Sequence, residues 1–289
     1  MSDSLSSWLA LREAADTAAR SAALTLGLVN TLMEREPFIL ARSDTGRRAE
    51  LSRIRPLRIL DLGTGTGSNV RYLTSRLPVR QDWLVVDQDA ALLAEVRERM
   101  DASSVARQAA CAIETRQVNL GALDPQMFSG RDLVTASALL DLVSETWLAS
   151  LADHCRSNGA AALFALTYNG QSRCSPGEPE DEAIRELMNR HQRGNDKGFG
   201  RAAGPDAADA AARAFVAVGY RVRREASDWA LPPEAREMQR QLIEGWAEAA
   251  VEIAPDQSTM IHDWLKRRLA HVDAGRSRIV VGHDDLAAW

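Results

Sequence analysis

Residues 57–67, Leu-Arg-Ile-Leu-Asp-Leu-Gly-Thr-Gly-Thr-Gly, constrain the fold of this chain more than any other stretch. The apolar run Leu57, Ile59, Leu60 reads as a buried strand that ends at Asp61 and empties into glycines. Glycine suits such a place because it takes up left-handed backbone and lets a ligand approach with no Cβ in the way. The three glycines stand at 63, 65 and 67, a G-x-G-x-G spacing. A dinucleotide fingerprint needs its third glycine one position later, where this chain has Ser68. A phosphate-gripping Walker loop needs Gly-Lys-Ser/Thr, and no lysine is near.

A second apolar run, Trp83-Leu84-Val85-Val86, ends in Asp87-Gln88-Asp89. Asp87 lies 20 residues after Gly67, where a βαβ unit carries an acid at the tip of its second strand. A carboxylate there can accept hydrogen bonds from both ribose hydroxyls of an adenosyl group. The glycine triplet alone also fits an ordinary doubly wound domain with surface acids at its strand ends. Asp61 followed by x-G-x-G-x-G, together with Asp87, resembles the class I S-adenosylmethionine-dependent methyltransferases.

That resemblance covers about residues 57–141. It implies an α/β fold: a doubly wound, mostly parallel, seven-stranded Rossmann-like sheet with helical cap insertions. It also implies S-adenosyl-L-methionine as cofactor, held by the segment Asp61, Gly63, Thr64, Gly65 and Gly67 and by Asp87 with Gln88. Asn119 and Leu120 would then border the adenine, and Ser137 would lie beneath the sulfur and methyl group. Arg12 through Arg20, Asp141 through Val143 and the run His191-Gln192-Arg193 resemble, more diffusely, a group of bacterial methyltransferases.

The chain has 289 residues, 45% of them hydrophobic, which supports one large domain with insertions or one domain with a small cap. A net charge of −5 argues against a nucleic-acid partner. The basic residues are almost all arginine, Lys197 and Lys266 being the only lysines. Three widely spaced cysteines (Cys111, Cys155, Cys174) suggest neither a disulfide framework nor a zinc site, and no metal is expected. No apolar run approaches a membrane span. The N-terminus lacks the basic-then-apolar order of a signal peptide, so a cytoplasmic location is expected.

Four parts are read along the chain. Residues 1–52 form an N-terminal helical cap and connector, with apolar three- and four-residue steps predicting a helix over 5–34 and Pro37 breaking it. Residues 53–168 alternate strand and helix as a cofactor-binding core. Residues 169–205 read as a lid insertion, and 206–289 as the rest of the sheet interrupted by a helical insertion at about 229–276. Ligands in open α/β sheets bind beyond the carboxyl ends of the strands, where both insertions leave the core. The insertions and the N-terminal helix therefore read as a lid around a substrate, or as decoration serving a homodimer interface.

The candidate chemistry follows from these positions. Asp141, after the fourth strand, reads as a base or substrate anchor, or else as an N-cap of the next helix. His191 is a second catalytic candidate, with Gln192 and Arg193 as substrate contacts or a plain polar helix end. Trp229 and Trp246 could wall a ring or pack in the core. Arg12, Asp16 and Arg20 repeat every four residues, as a surface ion ladder or as a stripe whose arginine pairs with the cofactor carboxylate. The Pro-Pro motif of adenine- and glutamine-modifying methyltransferases, the acids of the magnesium-dependent catechol type and a radical-enzyme cysteine triplet are all missing. The expectation is a metal-independent methyltransferase acting on a small molecule, oxygen preferred over nitrogen. The alternatives are a non-catalytic cofactor-binding regulator or scaffold and, less well matched, a nicotinamide oxidoreductase.

Overall fold

A computed structural model describes residues 2–35, 55–102, 111–194 and 196–289; Pro37, the expected connector at 41–53 and the boundary at 52 lie outside the described residues. Eight strands form one sheet: β1 Leu57–Leu62, β2 Gln81–Asp87, β3 Cys111–Gln117, β4 Leu133–Ser137, β5 Ala161–Ser175, β6 Val222–Ala226, β7 Trp229–Leu231 and β8 Arg278–Ala288. The order is β3-β2-β1-β4-β5-β8-β6, with β7 also on β8. Strands β1 to β5 run parallel, and β8 runs antiparallel to β5, β6 and β7.

The parallel part follows from the crossovers. Helices α3 Ser68–Thr74, α4 Ala90–Ala102 and α5 Glu145–Asn158 return the chain after β1, β2 and β4. Such strands are covered on both faces and so read as nearly continuous apolar runs. Leu60, Leu62, Val134 and Phe164 face a core with Trp147, Leu151 and Phe215. Leu57, Ile59, Trp83 and Val85 face the other, with Val70, Leu73, Leu24 and Leu28.

The single helix predicted over 5–34 is two helices, α1 Ser2–Ala19 and α2 Ala22–Arg35. Ser21 makes the break: its Oγ accepts from the Leu24 amide at 3.0 Å, an N-capping bond. The split gives the two helices different tasks. α2 buries Leu24, Leu28, Val29 and Leu32 on the sheet. α1 instead lays Trp8, Leu11, Ala15 and Ala19 against a third core built by the insertions.

That third core holds α6 Asp181–Gly194, α8 Arg236–Ile253 and α9 Ser258–Asp273, while α7 Ala207–Ala217 packs on the sheet. The two insertions are tied by ions. The fully buried Arg268 donates through Nε to Asp181 Oδ1 (2.9 Å) and through Nη1 to the Pro176 carbonyl (2.6 Å), and Trp264 Nε1 donates to the same carboxylate oxygen (2.7 Å). Arg267 and His271 meet Glu178.

Two strands are long. β5 continues past Leu166 to Ser175, because Leu166 and Asn169–Gln171 fall at register shifts that bend the strand rather than end it. β8 continues to Ala288, pairing with β7 at one end and β6 at the other. β8 also carries Asp285, buried, whose Oδ1 accepts from the Leu166 amide and whose Oδ2 accepts from the Ser21 amide, both at 2.9 Å. Leu166 has φ +55°, strained for a side-chain-bearing residue. Asp285→Ala orphans both amides, and at ~1.5–3 kcal/mol per bond to a charged group the net cost should be about 2–4 kcal/mol in urea unfolding. A loss under about 0.5 kcal/mol would show that this carboxylate does not hold the two segments together.

Candidate active site

The glycine loop leaves β1 beside β4, where the strand order reverses, the usual ligand position in open α/β sheets. Gly63 and Gly65 have φ of +61° and +54°, and a Cβ on Gly65 would come within 3.1 Å of the Leu9 side chain. The loop is thus both turned and closely covered by α1. Asp87 fixes it from β2: its Oδ2 accepts from the Gly65 amide (2.8 Å) and its Oδ1 from the Asp89 amide (3.0 Å). Asp89 in turn caps α4, accepting from Ala91 at 2.8 Å.

A cavity of about 540 Å³ opens over this edge, within the ~300–1,000 Å³ usual for small-molecule sites. One end is lined by Gly63, Thr64, Gly65, Asp87, Gln88, Leu92 and Leu120. The middle carries Ser137 and Asp141. The far end is ringed by Trp8, Tyr168, Trp229, Trp246 and His283, with Met188, Gln192 and Leu242, while Lys197 and Phe199 come in beside Leu120, Phe199 packing edge-on to Trp147. All three of the expected lid segments contribute side chains.

Asp16 braces one wall. Its Oδ2 accepts from Arg12 Nε (2.9 Å) and its Oδ1 from Trp229 Nε1 (3.0 Å), while the Arg12 guanidinium sits 5.1 Å from the Trp229 ring centroid. Burial pushes the Asp16 carboxyl up, against the pull of Arg12. Arg12 itself also lines the cavity.

Arg20 lies beneath the site instead of in it. It is buried on the Tyr72 ring (3.9 Å) and donates through Nη1 to Asn69 Oδ1 at 2.5 Å. Asn69 Nδ2 passes the contact on to Asp61 Oδ1 at 2.6 Å. Asp61 is fully buried, its Oδ2 has no hydrogen-bond partner of good geometry, and burial raises its carboxyl to about 6, partly offset by the nearby Thr64 hydroxyl, Asn69 and Arg20.

Asp141 lies in a short turn, Leu140–Leu142, and is not the cap of α5: Ser144 is, accepting from the Trp147 amide at 3.2 Å. Burial raises the Asp141 carboxyl, against its own backbone amide, Lys197 and Arg12. Of the run His191-Gln192-Arg193, Gln192 alone reaches the cavity, because successive helix residues point about 100° apart. His191 Nε2 is 2.9 Å from Glu252 Oε2, and Arg193 Nε donates to Asp206 Oδ2 at 2.8 Å, both outside the lining. Gly67 and Asn119 also stay outside it. Gly67 precedes α3 in left-handed conformation, and the Asn119 carboxamide accepts from the Gly121 amide at 2.8 Å. Trp229 and Trp246 serve both readings, buried in the third core and exposing an edge to the cavity.

His283 was not singled out from the sequence. Its Nδ1 is 3.0 Å from the Val281 carbonyl, which can only accept, so Nδ1 carries the proton. Burial, reinforced by Arg12, holds its pKa down to about 3, so the ring is neutral. The signal in the sequence was the alternation Ile279, Val281, His283, Asp285, which puts the histidine in register with buried residues.

The residues fit a cationic adenosyl cofactor better than a dinucleotide. Asp61, with one oxygen lacking a hydrogen bond of good geometry, and Asp87 place negative charge at the loop, and Arg71 on its flank is paired with Glu13 (2.7 Å). Residues 59–159 match the family model described as a methyltransferase domain. With the glycine loop and Asp87, this match identifies the segment as a class I S-adenosylmethionine-dependent methyltransferase domain, and S-adenosylmethionine as its cofactor.

No curated protein sequence matches the chain. Among solved structures, it is similar to an S-adenosylmethionine-dependent methyltransferase from Geobacter sulfurreducens in complex with S-adenosyl-L-homocysteine (12% identity, 96% of this chain and 97% of that one, TM-score 0.44). It is also similar to one from Thiobacillus denitrificans in the same complex (13%, 94% and 92%, 0.42). A cyclopropane synthase from Mycobacterium tuberculosis is a third (9%, 91% and 83%, 0.44).

A carboxyl whose folded-state pKa is raised binds its proton more tightly folded than unfolded. Its contribution is therefore fully present at low pH and is lost as pH rises, here from about 4 to about 6. Ionised Asp61 should cost the ligand-free protein about 2–3 kcal/mol at pH 8. Asp61→Asn should accordingly melt higher than wild type at pH 8 and alike at pH 4. A difference that does not change with pH would contradict a buried ionised Asp61.

Proposed function

We propose that this chain moves a methyl group from S-adenosylmethionine to an oxygen, in preference to a nitrogen, of a small molecule held under the cap. The observation that carries the reading is the continuity of one cavity from the Gly63–Gly65 loop and Asp87, past Ser137 and Asp141, to the aromatic end. The cofactor, when bound, supplies a methyl carbon activated by a neutral leaving sulfide, so the protein mainly has to align the partners.

In this reading Asp87 takes the ribose hydroxyls, its carboxylate already oriented by two backbone amides. Leu92 and Leu120 cover the adenine. The Arg12 guanidinium meets the cofactor carboxylate, while Arg20 acts indirectly, through Asn69, on the placement of Asp61. Asp141, midway along the cavity, anchors the substrate. The braced wall of Asp16, Arg12 and Trp229 excludes water from the far end.

Calorimetry should show binding of S-adenosylhomocysteine and none of NAD or ATP at comparable concentration. Asp87→Ala should weaken that binding by about tenfold or more, since charge-assisted bonds contribute ~1.5–3 kcal/mol. Arg12→Ala should weaken it as well, through loss of a carboxylate partner. Preferential NAD binding, or a change under about twofold in Asp87→Ala, would overturn the assignment.

A further inference from the structure

The far end of the cavity holds an arrangement that the cofactor does not explain. His283 lies on β8 between two rings, with centroids 4.7 Å from Trp229 and 6.2 Å from Tyr168, and Trp8 meets Trp229 edge-on at 6.4 Å. Two of the other polar groups of this wall are already matched. Trp229 Nε1 is bonded to Asp16, and Tyr168 Oη donates to Asn189 Oδ1 at 2.8 Å. His283 Nδ1 is committed to Val281. Its Nε2 is left as a bare acceptor, without a partner among the described residues and not sealed from the cavity that the ring lines.

Resting on the methyltransferase reading, we propose that this end binds a planar aromatic ring bearing a hydroxyl, whose O–H donates to His283 Nε2. The rings supply flat apolar walls, against which an aromatic ligand packs edge-on or offset. A cationic ligand is disfavoured, because Arg12 already occupies the Trp229 ring and adds its charge beside the imidazole. A purely apolar ligand would leave the Nε2 lone pair buried and unmet, a penalty that a hydroxyl removes. The imidazole stays neutral at physiological pH, so it accepts and does not donate. The hydroxyl is thereby held by its own proton: as an oxygen lone pair takes the methyl group and the C–S bond breaks to leave a neutral thioether, that proton passes to the neutral His283 Nε2. His283 would be a catalytic residue in the sense of touching the substrate.

The test uses the full chain saturated with S-adenosylhomocysteine, titrated calorimetrically with p-cresol and with its methyl ether, 4-methylanisole. The ether lacks the donor and carries one extra methyl group, at the position of the methyl that S-adenosylhomocysteine lacks. Wild type should bind p-cresol about tenfold or more tightly than the ether. His283→Phe should reduce that preference to below about twofold with S-adenosylhomocysteine affinity unchanged, and His283→Gln, which keeps an acceptor, should retain part of it.

Should the phenylalanine variant not fold, the ¹⁵N resonance of wild-type His283 Nε2 decides: it should move on adding p-cresol and stay with the ether. Equal affinity for the two probes, binding of neither, a preference that survives in His283→Phe, or an unmoved resonance would overturn the proposal. The preceding S-adenosylhomocysteine titration separates the two claims. Its failure defeats the methyltransferase reading, whereas success there with no p-cresol preference defeats the aromatic subsite alone.

Discussion

Asp285 gives one carboxylate oxygen to the Leu166 amide and the other to the Ser21 amide, in a place closed to water. Much of the molecule follows from that pair of bonds. The first holds β5 in a left-handed kink at the carboxyl edge of the sheet, where Leu166 joins the cavity wall. The second fixes the joint between α1 and α2, so that α2 stays on the sheet while α1 is directed across the glycine loop. Strain of this kind persists only where the surroundings over-determine it, and it clusters at functional sites. Ala138, on the neighbouring strand end, has φ +52° and lines the same cavity.

The charges around the cavity are arranged in layers. Asp87, Arg12 and Asp141 line the cavity itself. Asp16, also in the lining, holds Arg12, and the buried Arg20 below holds Asn69 against Asp61. Farther out, Arg268 with Asp181 joins the two insertions into one cap, so that α6, α8 and β7 present their side chains together. Breaking a buried pair of this sort by removing one partner is costly, which suits a cap that must keep its shape. The result is a largely apolar chamber over the glycine-loop edge of the sheet.

The cofactor half was legible in the sequence because its chemistry is local. The glycine loop, Asp61 and Asp87 sit at strand ends, and a βαβ unit brings such positions together whatever the rest of the chain does. The substrate half was legible only in part. His191, Gln192 and Arg193 are adjacent in sequence, yet a helix turns them to three directions and only Gln192 faces inward. Arg12 and Arg20 are two turns apart on one helix, but the helix ends at Ala19, and Arg20 drops under the loop while Arg12 stays in the wall. His283 was hidden because no local motif surrounds it, and its partners in the wall, Tyr168 and Trp229, come from other strands. What decides these cases is tertiary: which neighbour from another element occupies the other side of the residue.

The most direct test of the account is a crystal structure of the protein with S-adenosylhomocysteine bound. The ribose hydroxyls should lie on the Asp87 carboxylate, the amino-acid end over Gly63 and Gly65 within reach of Arg12, and the sulfur should point past Ser137 toward the chamber of Trp229 and His283. A ligand seated elsewhere, or one whose sulfur points away from that chamber, would contradict it.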